Sequence, residues 1–213
     1  MPNETRLPAA REPIAEKTGL TSRSWYRFFS GMAEFFGFGQ TPLPQACYLG
    51  TDGTSVPQWI PVAYSAMGDT TTQSAAANTP TIVNINSSVY NRGITLAGNK
   101  VTIAKAGLYT ATFSVQLTNS NTSNDDDVTL WVRINGVDLP LTSSYATVVK
   151  SHGGVPGSTV LTVNIFYQFS DGDYLQLVWL TKLGNAQIIT YPASTSPAYP
   201  AAPGVILTIA QVV

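Results

Sequence analysis

The chain has 213 residues, room for one large β domain plus an appendage, and only 11% of them are charged, under half the usual share. A formal net charge of −1 offers no electrostatic footprint for nucleic acid or an anionic membrane. No run approaches the ~20 apolar residues of a membrane-spanning helix, and Cys47 stands alone, which excludes an intrachain disulfide framework.

Residues 1–45 form a distinct arm. Nine charged residues, from Glu4 to Glu34, fall in this fifth of the chain. Pro2, Pro8 and Pro13 predict an extended lead, and Glu4, Arg6, Arg11 and Glu12 without an apolar core do not read as a secretory signal. Thr21, Ser22 or Ser24 then caps a helix over about 24–36. Trp25, Phe28, Phe29, Met32 and Phe36 make one apolar stripe, which Tyr26 and Phe35 widen before Gly37 and Gly39 stop it. So short a helix with so much aromatic surface must pack on something. Three partners are open: the chain's own β domain, symmetry mates in a three-helix bundle, or a foreign protein. The break in composition favours the last two, because a charged, proline-punctuated arm with one sticky helix has the form of a docking peptide.

Residues 46–57 read as a linker, rich in Pro, Gly and Thr. Gln58 to Met67 is a candidate first strand, 68–80 a surface loop, Thr81 to Ile85 a short strand, and 89–93 a segment ending in a turn. After a turn at Asn99, Val101 and Ile103 alternate with polar neighbours. Leu108 to Leu117 then predicts a long central strand, with Tyr109, Ala111, Phe113, Val115 and Leu117 on its core-seeking face. Asn119 to Asp127 is polar throughout and predicts an exposed loop. Val128 to Ile134 alternates again, and Asn135-Gly136 is a strong type I′ hairpin signal. A strand is expected near 145–149, and a long one over 159–169. Asp171-Gly172-Asp173 turns that one so that 174–180 returns antiparallel, and the last strand runs from Val205 to Val213. About nine short strands with Gly, Asn and Pro turns predict a sandwich or jelly roll over 58–213.

Catalytic chemistry finds little support. His152 lies in a Gly-rich loop, Cys47 has no metal-ligand neighbour, and Gly153-Gly154-Val155-Pro156-Gly157 lacks the Lys and helix of a phosphate loop. No cofactor and no metal are expected, with Asp125, Asp126 and Asp127 the weak candidates for a hard cation. Adjacent strand-type residues point apart, so a solvated loop tip is the simpler reading. Trp131 and Arg133 share a strand face that suits either sugar stacking or a subunit interface. Much apolar and Thr/Val surface with little charge predicts a homotrimer, whose interface would use Tyr109, Phe113, Phe166, Tyr167 and Trp131.

Ala106-Gly107-Leu108-Tyr109, Ile134-Asn135-Gly136, Asp171-Gly172-Asp173-Tyr174-Leu175-Gln176-Leu177 and the closing strand from Gly204 together resemble the C1q/TNF-like jelly roll. That resemblance implies an all-β antiparallel sandwich forming threefold trimers with exposed recognition loops, here without the stalk or disulfide of secreted members. In the arm, Arg11-Glu12-Pro13-Ile14, Gly19-Leu20-Thr21 and Trp25-Tyr26-Arg27-Phe28-Phe29 look like the particle-binding segment of small phage fibre and head-decoration proteins. The combined expectation is a non-enzymatic structural virion protein, made in the host cytoplasm. Its anchor to other phage structural proteins in the capsid or head–tail region would be Arg11, Trp25, Tyr26, Phe28, Phe29, Met32 and Phe36. The alternative is a receptor-binding module whose β head grips a host-surface glycan, with Tyr145, Trp179, Tyr191 and Tyr199 as candidate contacts.

Overall fold

In the computed structural model the described residues are Trp25, 47–51 and 57–212. Trp25 has helical geometry and is half-buried; the rest of the expected helix lies outside the described residues. The chain divides into two compact units, Met1–Pro61 and Val62–Val213.

The described part of the first unit is a hairpin in which β1 (Cys47–Thr51) pairs antiparallel with β2 (Pro57–Pro61). This corrects two expectations. Part of the expected linker is strand, and the expected first strand is split, with Pro61 closing β2 before a new strand begins at Tyr64. Proline donates nothing to a ladder and therefore sits at strand ends.

The second unit is all-β. Its strands are β3 (Tyr64–Asp69), β4 (Gln73–Ser74), β5 (Thr81–Ile82), β6 (Ser87–Arg92), β7 (Ile94–Ala97) and β8 (Lys100–Ile103). Then come β9 (Gly107–Asn119), β10 (Asp126–Ile134), β11 (Val137–Asp138), β12 (Ser144–Val148) and β13 (Gly157–Phe169). The chain closes with β14 (Tyr174–Thr181), β15 (Ala186–Ile188), β16 (Ser194–Thr195), β17 (Ala198–Tyr199) and β18 (Val205–Gln211). One sheet runs β13-β9-β18-β3-β6, with β15 and β4 continuing it beside β18. The other runs β10-β14-β8-β7, with β11 and β12 beside β10 and β5 beside β14. Every strand ladder is antiparallel.

The long strand predicted at 108–117 is β9, and it is central. β13 covers one edge over its full length, while β18 and β15 divide the other. Its apolar face makes the core: Tyr109, Ala111, Phe113, Val115 and Leu117 are all buried against the inward residues of the facing sheet. Among these are Val128, Leu130 and Val132 of β10 and Leu175, Leu177 and Trp179 of β14. Each such side chain contributes about 1.5–3 kcal/mol of burial. Tyr109 also donates its hydroxyl to the Lys105 carbonyl at 2.9 Å and meets Phe169 edge-on at 5.6 Å.

Two turns expected from sequence meet in space. Asn135 and Gly136 both have positive φ, 51° and 83°, as a type I′ turn requires. The Asn135 amide donates to Asp173 Oδ1 at 2.6 Å and its Oδ1 accepts from the Tyr174 N–H, tying the hairpin to the Asp171-Gly172-Asp173 turn. That second turn is not a hairpin, contrary to expectation: β13 and β14 lie in different sheets, and the chain crosses between them over 170–173. Gly136→Val is expected to cost roughly 1–3 kcal/mol through turn strain. Urea denaturation reads this directly, and a midpoint equal to the parent's would refute the turn's role.

The polar segment 68–80 is not a plain surface loop either. Asp69 is fully buried and accepts from Thr71 and from the Gln73 amide at 2.7 Å; Gln73 also bonds the Asn84 backbone through both ends of its amide.

Candidate functional site

The two outer faces of the sandwich differ in chemistry, and that difference locates the candidate sites.

On the outer side of β10 stand Asp127, Thr129, Trp131 and Arg133, alternating with the buried residues. The two-residue turn sets Arg133 opposite Asp138. Asp138 Oδ1 accepts from the Trp131 indole at 2.8 Å and from Arg133 Nε at 2.7 Å. Arg133, followed by Trp131, holds the Asp138 carboxyl below its ordinary range. One strand further, Tyr145 lies opposite Thr129 and Thr147 opposite Asp127. Asp127 is likewise held low, first by the Tyr145 hydroxyl and then by Thr147 and Lys182. The Arg133–Asp138 pairing was legible in principle, since counting across an Asn-Gly turn gives the register.

The three consecutive aspartates do not converge. Asp125 caps the Lys150 N–H, Asp127 faces outward to Thr147 and Lys182, and Asp126 points inward and is 1% exposed. Asp126 accepts from the Thr181 hydroxyl and from three backbone N–H groups, those of Leu183, Asn185 and Ala186, at 2.7–2.8 Å. Burial pushes its carboxyl up. The bonds from Thr181, Ala186, Leu183 and Asn185 together outweigh that and hold it below the ordinary value. The segment 119–127 is therefore no free loop: Asn119 and Asp126 at its ends are buried, and Asn119 donates to the carbonyls of Asn124 and Val148. Among the described residues no group of three or more His, Cys, Asp or Glu is placed to hold a metal ion.

The outer face of the β9 sheet is different. Thr110, Thr112 and Ser114 of β9 lie between Phe166, Asn164 and Thr162 of β13 and Ala210, Thr208 and Ile206 of β18. Tyr64 and Ala66 of β3 extend the face to Tyr90 and Arg92 of β6. Arg92 at the far edge is its one charged side chain among these residues. Phe166 is 65% exposed, Tyr90 67% and Val160 59%. A shallow apolar groove of about 280 Å³ runs between Tyr64, Tyr90 and Thr208; a larger one of about 630 Å³ follows at Val89, Ile206 and Tyr191.

The five interface residues expected from sequence do not share a surface. Tyr109 and Phe113 are wholly inside the sandwich, and Tyr167 packs on the core beside Phe169, so these three are corrected to core positions. Phe166 and Trp131 project from the outer sides of different sheets. Of the glycan candidates, Trp179 is 1% exposed and is struck off, whereas Tyr145, Tyr191 and Tyr199 are exposed. His152 sits in a tight turn closed by its mutual backbone bonds with Val155. Of the anchor residues, Trp25 is described above; Arg11, Tyr26, Phe28, Phe29, Met32 and Phe36 lie outside the described residues. Among the described residues no helix is long and apolar enough to cross a membrane. No protein-family model matches the chain, and no curated protein matches it.

Proposed function

We propose that this chain is a structural virion protein of a bacteriophage: a trimeric fibre, spike or decoration whose β head is a C1q/TNF-like jelly roll. Its N-terminal arm attaches the trimer to capsid or head–tail proteins. The observation that carries the assembly part is the chemistry of the β9 sheet's outer face. A sheet face with Phe166, Val160, Ile206, Tyr64 and Tyr90 outward, a hydroxyl-rich centre and one peripheral arginine carries almost no charge to keep copies apart. The centre of this face carries no charged side chain to desolvate, unlike the outer side of β10 with its Arg133–Asp138 and Lys182–Asp127 pairs. The strand orders β13-β9-β18-β3-β6 and β10-β14-β8-β7, with β9 and β10 consecutive yet in opposite sheets, support the jelly-roll reading. The aromatic stripe Trp25, Phe28, Phe29, Met32 and Phe36 supports the arm as anchor.

The test is made on the full-length chain. Light scattering should return three times 22.7 kDa, and a Phe166→Asp, Thr208→Asp double variant should remain folded but run as a monomer. A Phe28→Asp, Phe29→Asp variant should stay trimeric yet fail to bind particles lacking the protein. A parent that is monomeric at micromolar concentration removes the trimer; an arm variant that still decorates particles removes the anchor.

A further inference from the structure

The cleft between Trp131 and the 139–143 loop has a chemistry that the assembly reading does not use. Its volume is about 360 Å³, at the low end of small-ligand pockets and enough for one sugar ring. Thr129 and Trp131 form one wall, and Leu139, Pro140, Ser143 and Asp138 the other.

Three observations fix what this cleft can recognise. The first is that the indole is immobilised, because its N–H is held by Asp138 Oδ1 at 2.8 Å. Its ring is half-buried and borders the cleft. The second is the carboxylate itself. Oδ1 takes both Trp131 and Arg133, while Oδ2 has no hydrogen-bond partner among the described residues, and the side chain is 55% exposed. A free, ionised acceptor beside a fixed aromatic ring suits a ligand that offers C–H groups on one face and hydroxyl donors at its edge. The third is the loop. Buried Thr142 receives the Val132 N–H and donates to the Leu139 carbonyl at 2.8 Å, pinning the loop to β10. Between these fixed points Leu141 is forced to φ +64° and is fully exposed. A bulky side chain held in the left-handed region, out in water, is strain of the kind retained at contact sites.

We infer that this cleft binds one neutral pyranose unit of a saccharide. The sugar's apolar face stacks on Trp131, its hydroxyls donate to Asp138 Oδ2, and Leu139 and Pro140 add apolar lining. An anionic sugar is disfavoured, because Arg133 already has its counter-ion in Asp138 and the charged group left facing the cleft is a carboxylate oxygen. The inference does not depend on the virion reading, since it concerns a different sheet from the uncharged face.

The test is saturation-transfer NMR on the full-length protein. The probes are the methyl pyranosides of glucose, galactose, mannose and N-acetylglucosamine, with methyl glucuronide as the anionic arm. At least one neutral glycoside should bind with a Kd on the order of millimolar, and the glucuronide at least about tenfold more weakly. Trp131→Ala and Asp138→Asn should each weaken binding at least about tenfold, with Trp131→Phe retaining part of it. Asp138→Asn keeps an acceptor for Trp131 and Arg133, so it decides the matter if the alanine variant fails to fold. No saturation transfer to any neutral glycoside, a glucuronide that binds as well as its neutral counterpart, or an Asp138→Asn variant that binds like the parent overturns the proposal.

Discussion

Asp126→Ala is expected to destabilise the β head by about 3–5 kcal/mol, a large fraction of the 5–15 kcal/mol that holds a typical domain. The side chain is one acceptor for four donors, and the three backbone N–H groups lie in a single turn, 183–186. Removing the carboxylate leaves those donors facing an apolar cavity beside Val148 and Ala186, which are fully buried. The turn is the hinge between β14 in one sheet and β15 in the other, so its loss uncouples the two sheets where β9 ends. Asp126→Asn is expected to cost roughly 2–4 kcal/mol, since half of the isosteric amide presents donors to donors. Urea denaturation of the parent and both variants measures this; variants within about 1 kcal/mol of the parent would show the hub to be dispensable.

The same carboxylate contributes to the acid limb of stability. Its folded pKa is depressed below the ordinary 3.8, so its contribution is complete above that value and is lost as pH falls through it toward the folded pKa. Stability should therefore be flat from neutrality to about pH 4 and fall below it, with Asp127, Asp138 and Asp173, also depressed, adding to the slope. Asp126→Asn should flatten that decline. An acid limb of unchanged steepness in the variant would assign the pH dependence elsewhere.

What sequence could and could not disclose follows from the range of the forces involved. β9 and β10 were legible because alternation records burial residue by residue, and the Asn135-Gly136 turn was legible because its positive φ values are a local demand. Asp126 was not, because its partners lie 55–60 residues away and a polar run reads as solvent-facing until those donors are placed against it. Three of the expected interface residues, Tyr109, Phe113 and Tyr167, failed for a related reason. A strand has only two faces, and the alternation that identified Tyr109 and Phe113 as apolar had already committed them to the sandwich core. Which sheet a strand joins is likewise not written in its turn. The Asp171-Gly172-Asp173 sequence specifies a reversal, and only the pairing of β14 with β10 shows that it changes sheets. The Trp131 cleft lies between these cases. Its hairpin register is local, but the wall formed by 139–143 depends on Thr142 reaching back to Val132.

Gly157→Ala is expected to destabilise the head by about 3 kcal/mol, the upper end for overpacking, although the change adds a single methyl group. Gly157 opens β13 and is buried, with its carbonyl accepting the Thr118 hydroxyl at 3.0 Å. A Cβ at this position would stand 1.8 Å from the Val149 carbonyl oxygen and 2.7 Å from its carbon. Both are backbone atoms, so no side-chain rotation relieves the overlap. The chain cannot easily retreat, because the two sides of the contact belong to one tight excursion. Val148 precedes it as the inward end of β12, the Ser151 N–H is fixed on the Asn121 carbonyl at 2.7 Å, and His152 and Val155 close the turn with Gly153 and Gly154 at positive φ. Relief must therefore come from shifting the start of β13 off β9, which breaks the Gly157–Asn119 and Ser158–Thr118 pairs and exposes the end of the central strand. Hydrogen exchange at Thr118 and Asn119 should accelerate in the variant well before the middle of β9 does. Uniform protection along β9, with an unchanged urea midpoint, would show that the 149–157 excursion yields without strain and that its closeness to Gly157 is incidental.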